Sequence, residues 1–147
     1  MSTTTLSGLT LEDLLPHRGN MLLVKEIIEV DSKRARALFL VEKTWPMADA
    51  QGVDPLILVE LAAQTAGVCN GWDRIQTQGR GSNQMGWLVG IKKADFFIDS
   101  LPFGTSITAR AENTYSFENL REVACELHMD TQLIGRATLQ LFQANQQ

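Results

Sequence analysis

One carboxylate interrupts an otherwise apolar stretch of the chain. In PLILVELAAQTAG, residues 55 to 67, Glu60 is the only charged side chain, and Gln64 follows it one helical turn later. Side chains one turn apart share a helix face, so we expect Gln64 to orient Glu60 or a ligand beside it. Burial disfavours the charged form of a carboxyl group. We therefore expect a raised pKa for Glu60, which suits general acid or base catalysis near neutral pH.

A structural interpretation of the same acid stays open. Unpaired burial of a carboxylate is costly, so Glu60 as a structural acid would be bonded to Gln64, to a loop amide or to a partner subunit. We favour catalytic use, and the family resemblance described below contributes most to that preference.

The acid is placed by a predicted long helix. Asp54 can cap free N–H groups, and Pro55 at the first helical position sacrifices no hydrogen bond that the helix would have used. The helix is predicted to run to about Ile75, and the loop at 76–84 ends it. Upstream, Thr10 to Asp13 fits a capping box that opens a short helix.

The remaining segments have the patterns of strands. Two aliphatic segments, 21–30 and 33–42, predict an antiparallel hairpin that turns at Asp31 and Ser32. After the helix the hydrophobic period changes to two, which predicts three or four further antiparallel strands. The alternating apolar positions include Ile107, Ala109, Ala111, Val123, Cys125, Leu127, Met129, Ala137, Leu139 and Leu141.

A helix that is apolar on nearly all sides must be buried on nearly all sides. One curved antiparallel sheet wrapped around one long central helix meets that need, especially when a second subunit covers what the sheet leaves open. The sequence thus predicts an α+β fold, with residues 1–147 as a single domain.

Composition excludes several classes of function. The net charge is -4 and the basic residues are scattered, so we expect no nucleic-acid partner. The N-terminus lacks a signal-peptide pattern and no apolar run is long enough to span a bilayer, so we expect a cytoplasmic protein without a membrane partner. Cys69 and Cys125 show no metal-ligand spacing, which predicts two buried free thiols and neither metal nor cofactor.

Three ordered stretches resemble the 3-hydroxyacyl-ACP dehydratases of fatty-acid synthesis. They are LLPHRGNMLLVKEIIEV (14 to 30), LILVELAAQTAG (56 to 67) and GIKKADFFIDSLPFGTSITARAE (90 to 112). The LPHR motif and the short loop before the helix also look similar to the dehydratase-like proteins of aryl-polyene gene clusters. The resemblance implies the hot-dog fold, dimers, and substrates carried as thioesters on acyl carrier protein or coenzyme A.

The resemblance also implies a degenerate catalytic site. Members of that family dehydrate with a loop histidine and with a helix acid that reaches the site from the other subunit. The acid matches Glu60, but the histidine position corresponds to Pro46, and no histidine lies between His17 and His128. His17 matches the Pro-His-Arg motif instead, for which we favour a structural or pocket-edge role.

A second departure concerns the oxyanion donor. The family uses a glycine N–H at the start of the helix, and that position corresponds to Pro55, which has no N–H. A register slip by one residue would place Leu56 there. We therefore take Gln64, His17, Pro55 and Leu56 as substrate-binding candidates around the catalytic candidate Glu60.

Three functions remain compatible with the sequence, and whether the protein is an enzyme stays open. The first is a dehydratase-like hot-dog protein that binds or acts on acyl thioesters. It would not be a standard dehydratase as a homodimer, and could complete its site with a histidine-bearing paralogue. The second is an acyl-CoA or acyl-ACP thioesterase that uses Glu60. The third is a non-catalytic partner or structural subunit.

Overall fold

A six-stranded antiparallel sheet and one long helix dominate the computed structural model, which describes residues 9–82 and 86–143. The strands lie in the order β1-β2-β4-β5-β6-β3. In chain order the elements are α1 Leu11–Leu14, a single 3-10 turn Gly19–Met21, β1 Glu26–Val30, β2 Arg34–Leu40, α2 Ile57–Gln78, β3 Gly86–Phe96, β4 Ser106–Phe117, β5 Leu120–Met129 and β6 Gln132–Gln143.

Helix α2 packs against one face of this sheet and is buried along most of its length. On β4 the buried positions Ile107, Ala109 and Ala111 alternate with more exposed ones, as the period of two predicts. Small alanines on the inner face leave room for the helix. This is the α+β hot-dog arrangement, and the predicted fold class is confirmed.

The helix begins two residues after the predicted start at Pro55. Asp54 Oδ1 accepts a hydrogen bond of 2.9 Å from the Leu56 N–H, and the Ile57 N–H donates to the Asp54 carbonyl at 3.1 Å. The first turn is therefore tight, and the regular helix starts at Ile57 rather than at Pro55. It ends at Gln78, about one turn later than predicted, because Gly79 with a φ of +95° provides the C-terminal stop.

Two local predictions hold at the N-terminal end, and one strand is shorter than expected. Thr10 and Asp13 form the capping box of α1, each side chain accepting from the other residue's backbone N–H. The hairpin is antiparallel, but β1 starts at Glu26 rather than at Met21. Before it, Lys25 still donates to the Leu38 carbonyl of β2, whereas Met21 and Leu23 are held by the side chain of Gln64 on α2.

The segment Leu14–His17 lies directly on helix α2. A Cβ atom added to Gly71 would lie 2.2 Å from the Leu14 carbonyl oxygen, and one added to Gly67 would lie 2.6 Å from Leu15 Cδ2. Glycine at these positions therefore allows the backbone of one segment to touch the surface of the other. The contact runs antiparallel, so His17 extends towards the N-terminal half of α2.

Strand β3 forms one edge of the sheet and carries exposed apolar side chains. Leu88, Val89 and Ile91 are 42%, 56% and 49% exposed. A long apolar edge strand is a surface to which another chain can pair.

No helix within the described ranges is long and apolar enough to cross a membrane.

Both cysteines are buried free thiols, as predicted. Burial raises the pKa of Cys69 to about 12 and that of Cys125 to about 12, so both remain protonated at neutral pH. Across the part of the chain that the structure describes, no three histidine, cysteine, aspartate or glutamate side chains group closely enough to hold a metal ion.

We predict that Gly71→Ala destabilises the protein by about 1 to 3 kcal/mol, because the added methyl group overlaps the Leu14 backbone. Alanine is favoured over glycine inside a helix by about 1 kcal/mol, so the measured value reports the net loss. Urea unfolding gives the measurement. Gly81→Ala is the control, since no atom lies within 4 Å of its added Cβ. Equal stabilities for the two variants would contradict the proposed contact.

Candidate active site

Glu60 receives two side-chain hydrogen bonds on a single oxygen. Gln64 Nε2 donates to Glu60 Oε2 at 2.9 Å, and His17 Nε2 lies 3.1 Å from the same atom. Among the described residues Oε1 has no hydrogen-bond partner. The side chain of Glu60 is 33% exposed. One carboxylate oxygen is thus fixed by the protein, while the other has no partner within the described ranges.

Gln64 fixes the acid and the preceding segment together. Its side chain is 0% exposed. Gln64 Oε1 accepts from the Leu23 N–H at 2.9 Å, and Nε2 donates to the Met21 carbonyl at 2.8 Å as well as to Glu60. Oε1 faces a donor and Nε2 faces two acceptors, so the amide has one favourable orientation.

His17 is held beside Glu60 by its own loop. Arg18 Nη1 donates to the carbonyls of Leu15 and His17 at 2.6 and 2.8 Å, and Nη2 donates to the Glu12 carbonyl at 3.2 Å. His17 Nε2 is engaged with Glu60, while Nδ1 is buried without a partner in the described structure. Nε2 is thus occupied by Glu60, and Nδ1 is inaccessible because it is buried, so neither ring nitrogen is available to a ligand.

The expected rise in the pKa of Glu60 is wrong. Burial is the largest single influence and raises the pKa of Glu60. The hydrogen bonds from His17 and Gln64, together with the charge of His17, outweigh it and hold the pKa below its ordinary value of 4.5. The sequence shows that Glu60 lies in an apolar run but does not show its two donors. At neutral pH the group is a carboxylate.

Glu60 and His17 line a cavity of about 210 Å³ that runs along helix α2. The wall between its ends is mostly apolar. Its lining consists of Leu14, Leu15, Pro16, His17, Glu60, Ala63, Gly67, Asn70, Gly71, Arg74, Gly86, Leu88, Arg121, Leu141, Phe142 and Gln143. An elongated, mostly apolar space beside an ionised carboxylate has room for an extended apolar chain.

The end of the cavity away from Glu60 is polar. Arg121 Nη1 donates to Asn70 Oδ1 at 2.6 Å, and Nη2 donates to Asp73 Oδ2 at 2.8 Å. Arg74 donates to the carbonyl and hydroxyl of Ser82 at 3.1 and 2.6 Å and to the Asp13 carbonyl at 2.7 Å. Burial lowers the pKa of Arg74, whose side chain is almost wholly enclosed.

The structure brings only some of the predicted site residues together. Glu60, Gln64 and His17 meet as described, whereas Pro55 and Leu56 are not among the residues that line the cavity. Leu56 is 52% exposed, and its N–H already donates to Asp54. Pro46 does not line the cavity either. The assigned roles of these residues remain predictions.

Sequence reasoning missed the polar end of the cavity. Asn70 and Arg74 lie on the same face of α2 as Glu60, and their helical spacing was a usable signal. Arg121 gave no such signal. It reaches the site because β5 pairs with β6, which places Arg121 opposite Leu141.

Comparison with known proteins gives one family and several structural relatives. The family model described as ApeP-like, ApeP dehydratase, matches residues 9–147. No curated protein sequence matches the chain. The dehydratase heterocomplex ApeI:P from Xenorhabdus doucetiae is 20% identical with a TM-score of 0.83, and the alignment covers 93% of this chain and 92% of that one.

Two further structures show the same fold at lower similarity. Cj0977, a sigma28-regulated virulence protein from Campylobacter jejuni, is 19% identical with a TM-score of 0.69, covering 92% of this chain and 88% of that one. A hypothetical thioesterase with coenzyme A from Streptococcus pneumoniae TIGR4 is 12% identical with a TM-score of 0.63, covering 83% and 87%. At such identities the likeness establishes the shared fold alone.

We predict that His17→Phe raises the pKa of Glu60, because burial then acts against one hydrogen bond fewer. A carbon-13 titration of labelled glutamate carboxyl groups measures the change. His128→Phe is the matched control, since His128 is not among the cavity residues. An unchanged Glu60 titration in His17→Phe would show that the two side chains do not interact in solution.

The same pKa shift makes stability depend on pH. Because the folded pKa of Glu60 lies below its ordinary value of 4.5, its ionisation stabilises the fold above that pH. This contribution is lost as the pH falls through the lower, folded pKa. The stability difference between the natural protein and Glu60→Gln should therefore shrink with acidification over this range.

Proposed function

Because the chain belongs to the ApeP-like dehydratase family, we propose that it is a dehydratase subunit that acts on 3-hydroxyacyl thioesters through Glu60. The observation that carries the proposal is the free Oε1 of a carboxylate whose other oxygen is fixed by His17 and Gln64 at an acyl-sized cavity. The carrier would be acyl carrier protein or coenzyme A. We further propose that residues 1–147 form one cytoplasmic domain that needs no cofactor.

The reaction requires two proton transfers. Removing water from a 3-hydroxyacyl thioester breaks the C2–H and C3–O bonds, and the C2–H electron pair becomes the C2–C3 double bond. One group accepts the C2 proton and another protonates the departing hydroxyl, which leaves as water. Glu60 supplies one of these transfers.

The second group has to come from outside this site. His17 is the only histidine among the cavity residues, and its Nε2 is engaged with Glu60 while its Nδ1 is buried. We assign His17 the role of positioning Glu60 and keeping it ionised. Pro46, at the position of the family's loop histidine, cannot transfer a proton. A partner subunit with a histidine would complete the pair.

Strand β3 is where such a partner would fit. Its exposed apolar residues Val89 and Ile91 offer an edge for pairing, and its residues Gly86 and Leu88 also line the cavity. A chain paired there would border the cavity directly. The structural relative from Xenorhabdus doucetiae is a dehydratase heterocomplex, which supports a heterodimer over a homodimer or a higher homo-oligomer. We assign the histidine to the paralogue in that heterodimer.

We predict that the purified chain alone neither dehydrates 3-hydroxyacyl thioesters nor hydrates 2-enoyl thioesters, and that its complex with a histidine-bearing hot-dog partner does both. Mass spectrometry follows the loss or gain of water over time. In the complex, Glu60→Gln should lower the rate by about a hundredfold or more, since acid-base groups typically contribute at least that much.

The matched control for that experiment is Glu126→Gln, an exposed carboxylate outside the cavity lining. It should leave the rate of the complex unchanged. Robust dehydration by the chain alone that depends on Glu60 would contradict the need for a partner. Full activity of the Glu60→Gln complex would remove Glu60 from the mechanism.

A thioesterase is the second candidate, and the ionised state of Glu60 favours it. Because Glu60 is ionised at neutral pH, it can accept a proton from water. The water oxygen would then attack the thioester carbonyl, the C–S bond would break, and the thiolate would leave with the proton from Glu60. This chemistry needs no second histidine.

For the thioesterase we predict that the chain alone releases free thiol from saturated acyl thioesters, and that Glu60→Gln abolishes the release. A thiol-reactive dye measures the product, because both protein thiols are buried. No hydrolysis by the chain, together with no dehydration by any complex, would leave a non-catalytic partner or structural subunit as the function.

A further inference from the structure

The cavity has two polar ends joined by an apolar wall. Glu60 marks one end, and Asn70, Arg74 and Arg121 mark the other. At about 1.5 Å of rise per residue, Glu60 and Asn70 are separated by about 15 Å along the axis of α2. Leu14, Leu15, Ala63 and Leu141 contribute to the wall in between. A ligand that lies along α2 therefore meets polar groups again at its far end.

Positive charge predominates at that far end. Arg74 is 2% exposed and donates to Ser82 and to a backbone carbonyl, and it forms no ion pair with any described residue. Arg121 has one ionic partner, Asp73, at 2.8 Å. The Asp13 carboxylate also acts on Arg74, and it pairs with Arg80 at 2.7 Å. Counted together, the three guanidinium groups of Arg74, Arg80 and Arg121 stand against the two carboxylates of Asp13 and Asp73. Buried cations with incomplete compensation attract an oxygen that accepts hydrogen bonds.

Arg121 has donors available for such an oxygen. A guanidinium carries about five N–H donors, and the contacts of Arg121 within the described residues are those to Asn70 and Asp73. Its side chain is 24% exposed and lines the cavity, so the remaining donors are accessible to a ligand there. The contacts to Asn70 and Asp73 hold the guanidinium in place.

We propose that Arg121, with Asn70 and the nearby charge of Arg74, binds a carboxylate or other accepting oxygen at the far end of the acyl chain. The substrates would then be acyl thioesters that carry oxygen at both ends, rather than simple methyl-ended fatty acyl groups. This inference rests on the proposed function, because it takes the acyl chain to lie along α2 with its reacting carbons at Glu60.

The accepting oxygen is assigned to the chain end rather than to a phosphate of the carrier arm. The apolar wall between Glu60 and Arg121 suits methylene groups, whereas the carrier arm is polar along its length. A phosphate bound by the same cations is the competing source. Probes without phosphate separate the two.

The test compares two non-hydrolysable thioether analogues built on pantetheine, which lacks a phosphate. One carries an alkyl chain that ends in a carboxylate and the other an equally long chain that ends in a methyl group, over a series of lengths. Calorimetry with the full chain, alone and in its complex, gives both Kd values. We expect the carboxylate-ended probe to bind about tenfold or more tightly, since a hydrogen bond to a charged group typically contributes that much.

Two variants and one control locate the effect. Arg121→Met should abolish the preference for the carboxylate-ended probe. Arg34 is an exposed arginine outside the cavity, so Arg34→Met should retain that preference. Asp73→Asn removes the carboxylate that competes for Arg121 and leaves the Arg121 guanidinium in place. The preference for the carboxylate-ended probe should therefore increase. This second variant keeps the test valid if Arg121→Met does not fold.

Each remaining outcome overturns the inference in a distinguishable way. Equal binding of both probes, or a preference that survives Arg121→Met, removes the far-end site and leaves the proposed function intact. Tighter binding that depends only on adding a phosphate to pantetheine assigns the cations to the carrier arm. Failure of both probes to bind removes the inference together with the acyl-thioester function on which it rests.

Discussion

The segment Leu14–His17 can lie on helix α2 because the helix presents hydrogen atoms instead of side chains at Gly67 and Gly71. This contact sets the distance between two parts of the chain that are far apart in sequence, and it forms one wall of the cavity. It also determines how far His17 reaches along the helix. A larger residue at Gly71 would push against backbone rather than against a flexible side chain, so the spacing has little freedom to adjust.

The chemical state of Glu60 follows from a balance of opposing effects. Burial alone would raise the pKa of Glu60, whereas the donors His17 and Gln64 lower it below its ordinary value. Gln64 is central because its amide also binds two backbone groups that precede β1, the Met21 carbonyl and the Leu23 N–H. Packing and electrostatics are therefore coupled here, and a change in the position of the N-terminal segment would change the pKa of Glu60.

Local patterns in the sequence predict the elements well, but not the contacts between them. Asp54 and Pro55 predict the start of α2 to within two residues, and the spacing of Glu60 and Gln64 on one helix predicts their pairing. His17 lies beside Glu60 because the segment Leu14–His17 packs on α2. A contact between segments far apart in sequence leaves no periodic pattern that could predict it. The predicted direction of the Glu60 pKa shift was wrong for the same reason, since it depends on a donor supplied by that contact.

The two cysteines have a practical consequence. Cys69 and Cys125 are buried, and burial raises the pKa of each thiol to about 12, so alkylating reagents at neutral pH find almost no thiolate on the folded chain. A single cysteine engineered on the exposed edge strand could then carry a fluorophore or a spin label without any need to remove the native ones. Assembly with other subunits becomes directly observable by energy transfer or by spin–spin distances on an otherwise natural sequence.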